Sequence, residues 1–168
     1  RQEGGWALTE DTQSKPSSVV RRGEPKQGGD LRARWAWTAA CVWTKPMLTA
    51  LEKGVKGGVW FSLMDKVYAP RNLARAFERV QRNKGSAGVD HETVERFEGK
   101  RDEHLARLHE QLKTGTYIPQ TVKRTWIPKP GSREKRPLGI PTVRDRVAQT
   151  ALRNVLEPIF ERTFAEHS

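Results

Sequence analysis

The spacing of apolar positions divides this chain into helical and alternating stretches. In "APRNLARAFERVQRNKG", Leu73, Phe77 and Val80 recur three to four residues apart, which predicts one buried helix face ending near Gly85. Upstream, "TKPMLTALEKG" predicts a helix with Thr44 as N-cap, Pro46 in its first turn and Gly54 as its stop, and "SLMDKVY" follows it. A longer helical pattern runs from His91 to Lys113, with Leu105, Leu108 and Leu112 as its stripe. Gly99 is a possible interruption of that pattern, and Gly115 ends it. The period then drops to two. From Thr121 to Pro128, Val122, Arg124 and Trp126 alternate with Lys123, Thr125 and Ile127, which predicts a strand. "KRPLGI" predicts its partner, and the two form a hairpin with "PGSREK" at its tip. The last pattern, "TVRDRVAQTALRNVLEPIFERTF", opens on Thr142 as N-cap. It carries Val143, Val147, Ala151, Val155 and Ile159 at near-helical spacing, with Pro158 expected to kink or break it. The chain reads as α+β, mostly helical with one β-hairpin.

Residues 1 to about 30 lack such a pattern. They are rich in Gly, Ser, Gln, Pro and charge, and cannot bury enough apolar surface to offset their ordering entropy. Disorder is the expectation there. Trp35, Trp37 and Trp43 follow, and are expected to pack as a small apolar patch rather than to stack on bases. We therefore divide the chain into a low-complexity, basic extension, 1–42, expected to be disordered, and a folded region, 43–168. The longest mostly apolar run, "AWTAACVW", is far short of the ~20 residues that span a bilayer, so no membrane association is expected.

Composition narrows the function. Of the 168 residues 35% are hydrophobic, so the core is modest, and a net charge of +11 favours a polyanionic partner, nucleic acid above all. One cysteine, Cys41, excludes an internal disulfide and any cysteine-based metal site, and suits a cytoplasmic setting. His91, His104, His109 and His167 have no zinc-binding spacing and read as surface residues. Asp65, Asp90 and Asp145 stand singly, so no two-metal site and no metal-binding residue is assigned. No Walker loop, dinucleotide fingerprint or nucleophile–base arrangement is present, and no residue is assigned as catalytic.

The charge is concentrated. Lys113 to Arg146 carries nine basic and two acidic side chains, +7 of the whole. Within it, "IPKPGSREKRPLGIP" is a stiff hairpin with a cationic tip. Lys129 and Arg136 flank that tip on proline-stiffened backbone and suit phosphate, Lys as a point charge and Arg as a fork. The alternative is a pair of solubilising strand-end charges.

The segments "NKGSAGVD", "LKTGTYIPQTVKRTWIPKPGSREKRPLGIPTVRDRVAQTAL" and "VLEPIFERTFAEHS", with the upstream "WTKPMLTALEKGVKGGVWFSLMDKVYAPRNL", closely resemble the opening blocks of group II intron-encoded reverse transcriptases, the intron maturases. The resemblance covers about Trp43 to Ser168. It implies the mostly helical fingers of a right-hand RNA-directed DNA polymerase that binds intron RNA, an RNA template and a DNA primer. It implies Mg²⁺ as cofactor, held by palm aspartates. Asn83, Lys84, Gly85, Ser86, Ala87, Gly88 and Val89 match the family's fingertip loop over the template. Lys129 and Arg136 match the hairpin cations that grip the triphosphate of the incoming deoxynucleotide, with Lys135 as the alternative to Arg136. Leu138, Gly139 and Ile140 match residues facing the templating base pair. The family continues past "FAEHS" into the palm, whereas this chain stops at Ser168 without the Tyr-Ala-Asp-Asp signature. The expectation is a truncated protein without polymerase activity of its own. A non-catalytic RNA-binding fragment is the second expectation, and a fragment that does not fold stably alone the third. Neither the RNA recognised nor the oligomeric state follows from the sequence.

Overall fold

The computed structural model describes residues 31–55, 59, 60, 62–131 and 133–161. The expected disorder of residues 1–30, and His167, lie outside the described residues. The element order is α1 (Leu31–Arg34), α2 (Lys45–Lys53), α3 (Leu63–Val67), α4 (Pro70–Asn83), α5 (Val94–Gly99), α6 (Arg101–Thr114), β1 (Lys123–Pro128), β2 (Lys135–Ile140) and α7 (Val143–Glu161). The α+β architecture follows, with α4 and α7 packed on each other at its centre and the two strands forming an antiparallel hairpin.

The helical periodicity of α4 and α7 survives intact. Leu73, Phe77 and Val80 from α4 meet Val143, Val147, Ala151 and Val155 from α7, all buried in one apolar cluster. Burying a side chain of this kind contributes about 1.5–3 kcal/mol, so this seam holds the fold. Two asparagines lie inside it. The amide of Asn154 donates to Asn72 Oδ1 at 2.9 Å, and Asn72 Nδ2 lies within 3.0–3.1 Å of the carbonyls of Lys66, Val67 and Ala151. Buried amides are tolerated when bonded in this way, and this pair ties α3, α4 and α7 together.

Four expectations are corrected. First, His91–Lys113 is two helices. Thr93 accepts from Arg96 N at 3.3 Å and starts α5, and the chain turns at Lys100. That turn lets Phe97 stack on Phe77 (5.2 Å between centroids) and His104 stack on Phe97 (4.5 Å). Of the leucine stripe, Leu108 is fully buried, while Leu105 and Leu112 pack at the edge of the core.

Second, Pro158 does not end α7, which runs on to Glu161. A proline lacks the N–H that would bond the carbonyl four residues back, here Asn154. Trp43 supplies the donor instead, its Nε1 lying 2.9 Å from that carbonyl in the core. Third, β1 begins at Lys123, two residues after the expected start. Fourth, His104 and His109 are half-buried. His109 Nδ1 lies 2.7 Å from the carbonyl of Tyr68, and His104 Nε2 lies 3.3 Å from Glu92. His91 is exposed as expected.

The tryptophan patch behaves as read: Trp43 is in the core, Trp35 packs beside it, and Trp37 lies against Trp35 at 5.8 Å. Leu31, Ala39 and Val42 also belong to this apolar cluster. Among the described residues no helix is long and apolar enough to cross a membrane.

Candidate nucleic-acid interface

The first turn of α7 organises the candidate site. Thr142 caps it, its Oγ1 accepting from Asp145 N at 3.2 Å. The three charged side chains of that turn then each hold a piece of chain that arrives from elsewhere. Asp145 is buried, and accepts from Tyr117 Oη at 2.6 Å and from Gln120 N at 3.0 Å. Its position in the first turn also sets a negative charge at the positive end of the helix dipole. Burial, together with that bond to Asp145, pushes the Tyr117 hydroxyl well above its ordinary pKa. Arg144 donates to the carbonyl of Ile118 at 2.9 Å and lies 5.3 Å from the centre of the Tyr117 ring.

Arg146 reaches the other way, to the loop between α4 and α5. Its two terminal nitrogens donate to the carbonyls of Lys84 (3.2 Å) and Ser86 (2.9 Å). Burial draws its pKa below the ordinary value, opposed by the charge of Asp90. Two glycines make this approach possible. Gly85 has φ +110°, and a Cβ there would lie 2.8 Å from Arg146 Nη1. A Cβ on Gly88 would lie 2.7 Å from the Thr142 Cα. The loop is thus seated directly on Pro141 and Thr142, where β2 ends and α7 begins.

Of the template residues expected from the motifs, Lys84, Gly85, Ser86 and Gly88 are gathered at this junction, against Pro141, Thr142 and Arg146. Asn83 closes α4 in an exposed position, Ala87 is half-buried, and Val89 is exposed. Lys129 and Arg136 are not part of the same cluster. Arg136 stands four residues up β2 from Ile140, about 14 Å along the strand. The ladder pairs Ile127 with Arg136 and Pro128 with Lys135, and Lys129 N closes the turn onto the carbonyl of Glu134 at 3.0 Å. Side chains alternate across the hairpin. Lys129, Arg136, Leu138 and Ile140 therefore share one face, and Gly139 opens on the other. Lys129 Nζ forms an exposed ion pair with Glu134 at 2.6 Å.

The pattern of charges alone did not reveal Arg144, Asp145 and Arg146 as anchors. Their signal was the dense "TVRDR" at a helix start, where side chains face both the cap and the neighbouring loops.

Among the described residues, no three His, Cys, Asp or Glu side chains come together closely enough to hold a metal ion.

The chain is 34% identical over 132 residues to the group II intron-encoded protein LtrA of Lactococcus lactis subsp. cremoris, a match covering 74% of this chain and 22% of that protein. It is 35% identical over 104 residues to protein YkfC of Escherichia coli, covering 61% of this chain and 27% of that protein. It is 29% identical over 96 residues to the putative COX1/OXI3 intron 1 protein of Saccharomyces cerevisiae, covering 57% and 11% respectively. No protein-family model matches. The chain thus spans about a fifth of the length of LtrA. Over that stretch it is a relative of the group II intron-encoded proteins, the family that its motifs resemble.

Proposed function

We propose that this chain is the fingers-type portion of a group II intron RNA-directed DNA polymerase and maturase, and that it positions the RNA template and the incoming deoxynucleotide. The observation that carries this reading is the junction at the start of α7. There the glycine loop, the base of the cationic hairpin and the helix are locked to one another through Arg146 and Thr142. A lid over a template strand needs such a fixed floor, because preorganised donors bind better than mobile ones. In this assignment Asn83–Val89 and Leu138–Ile140 bear on the template, and Lys129 and Arg136 grip the triphosphate. Mg²⁺ and the DNA primer belong to the polymerase as a whole.

The Lys129–Glu134 pair is compatible with that role. An exposed ion pair is worth only about 0.2–1 kcal/mol. A triphosphate, with several charged oxygens, offers Lys129 a stronger partner than one carboxylate does.

The test is primer extension by the chain joined to palm-bearing sequence. Lys129→Ala and Arg136→Ala each remove a charge-assisted bond of about 1.5–3 kcal/mol, so the KM for deoxynucleotide should rise about tenfold or more. An unchanged KM in both variants would sink the triphosphate assignment.

A second reading, a non-catalytic RNA-binding piece, is favoured by one observation: the hairpin is exposed along nearly its whole length and carries most of the basic cluster. RNA binding by the 168-residue chain that weakens steeply with salt, without primer extension, is its signature.

A further inference from the structure

The two faces of the hairpin differ in chemistry. The face with Lys129 and Arg136 also carries Glu134, which neutralises Lys129. By the alternation of the ladder, the opposite face carries Val122, Arg124, Trp126 and Pro128 from the first strand's side, and Lys135 and Pro137 from the second. Among the described residues of the hairpin, no acidic side chain shares that face. Trp126 lies directly across from Pro137 and is 56% exposed, as is Val122. Val122 lies over Gly139, where a Cβ would come within 3.2 Å of it. Arg124 is two residues from Trp126 on one side. On the other side, Pro128 pairs with Lys135. Each cation is therefore displaced from the indole by about 7 Å along the strand.

We infer that this outer face is a binding site for single-stranded RNA, separate from the Lys129 and Arg136 face. One base stacks on the Trp126 indole, and the flanking phosphates meet Arg124 and Lys135. An indole is a sequence-tolerant stacking platform, and cations on either side match the charge that brackets every base in a strand. Charge complementarity favours this occupant over a protein surface, since a face with two cations and no acid selects a polyanion. Pro128 and Pro137 stiffen the platform, so little is lost in ordering it. The inference rests on the RNA-binding reading above.

The test is an anisotropy titration of the whole chain with an unstructured, mixed-sequence RNA oligonucleotide and with a duplex RNA. Trp126→Ala should weaken single-strand binding about tenfold or more, and Trp126→Phe should hold it within about threefold of wild type. Trp126→Ala should leave the salt slope unchanged, whereas Arg124→Ala should reduce it by about 0.7. Duplex binding should not respond to Trp126→Ala, because duplex bases are already stacked. Circular dichroism melting monitors folding of each variant; should Trp126→Ala melt early, the Phe and Arg124→Ala variants decide the matter. Single-strand affinity unchanged by Trp126→Ala, or an equal loss on duplex, overturns the proposal while leaving the RNA-binding reading standing. Absence of RNA binding by the wild-type chain overturns both.

Discussion

Trp43 shows how one side chain can repair a backbone defect. Pro158 strips the Asn154 carbonyl of its helical donor, and the Trp43 indole N–H takes that place from a sequence distance of 111 residues. An unsatisfied buried carbonyl costs about 1–3 kcal/mol. Trp43→Phe should therefore lose at least that much in chemical denaturation, with a further loss from the space left by the smaller ring. Pro158→Ala restores a backbone N–H at the same point. It should recover about 1 kcal/mol in the Trp43→Phe background beyond its effect in wild type; additive effects in the double-mutant cycle would show that the two residues are not coupled. Tyr117 makes a second residue-level prediction. Its hydroxyl holds its proton more tightly in the fold than in the unfolded chain, where its ordinary pKa is 10.0. The stability drawn from its bond to Asp145 is fully present below pH 10 and declines as the pH rises above 10. Tyr117→Phe should be less stable than wild type near neutrality, and the gap in denaturation free energy should narrow above pH 10.

At the scale of elements, α2, α4 and β2 were legible because local chemistry and burial agree there. Thr44 and Gly54 bracket α2, the Leu73–Phe77–Val80 stripe marks α4, and β2 spans Lys135–Ile140 as expected. The break between α5 and α6 was not legible as a certainty. Gly99 permits it, but the stacking of His104 on Phe97 and of Phe97 on Phe77 selects it, and those contacts join separate segments. The cationic hairpin was legible; its anchorage was not. Arg146 carries the consequence. Arg146→Ala removes two bonds from the loop and leaves the α4–α7 seam untouched. Amide hydrogen exchange at Gly85–Val89 should accelerate about tenfold or more, while the amides of Leu73–Val80 keep their protection. Equal acceleration in both places would mean that Arg146 supports the fold rather than the loop. At the hairpin tip, Glu134→Gln releases Lys129 from its ion pair. Single-stranded RNA affinity at low salt should rise by a few-fold, in line with an exposed pair worth about 0.2–1 kcal/mol. A fall in affinity would show that Glu134 itself helps to bind.

For the whole molecule, the charge predicts how it binds. With +7 of a +11 excess between Lys113 and Arg146, RNA affinity should fall linearly on a log–log plot against salt. Removing Arg124, Lys135 and Arg136 together should flatten the slope by about 0.7 for each lost phosphate contact. A slope unchanged in that triple variant would move the interface away from the hairpin. The sequence by itself determined where the basic charge is concentrated, the helical and alternating segments, and the kinship with group II intron-encoded proteins, because charge, periodicity and motif spacing are properties of the chain read in order. Only the tertiary structure decided that Asp145 anchors Tyr117, that Arg146 seats the glycine loop, that Trp43 completes α7 past Pro158, and which hairpin cations share a face. Each of these joins residues far apart in sequence or fixes a strand register. No local pattern encodes such pairings; they exist once burial has brought the partners together.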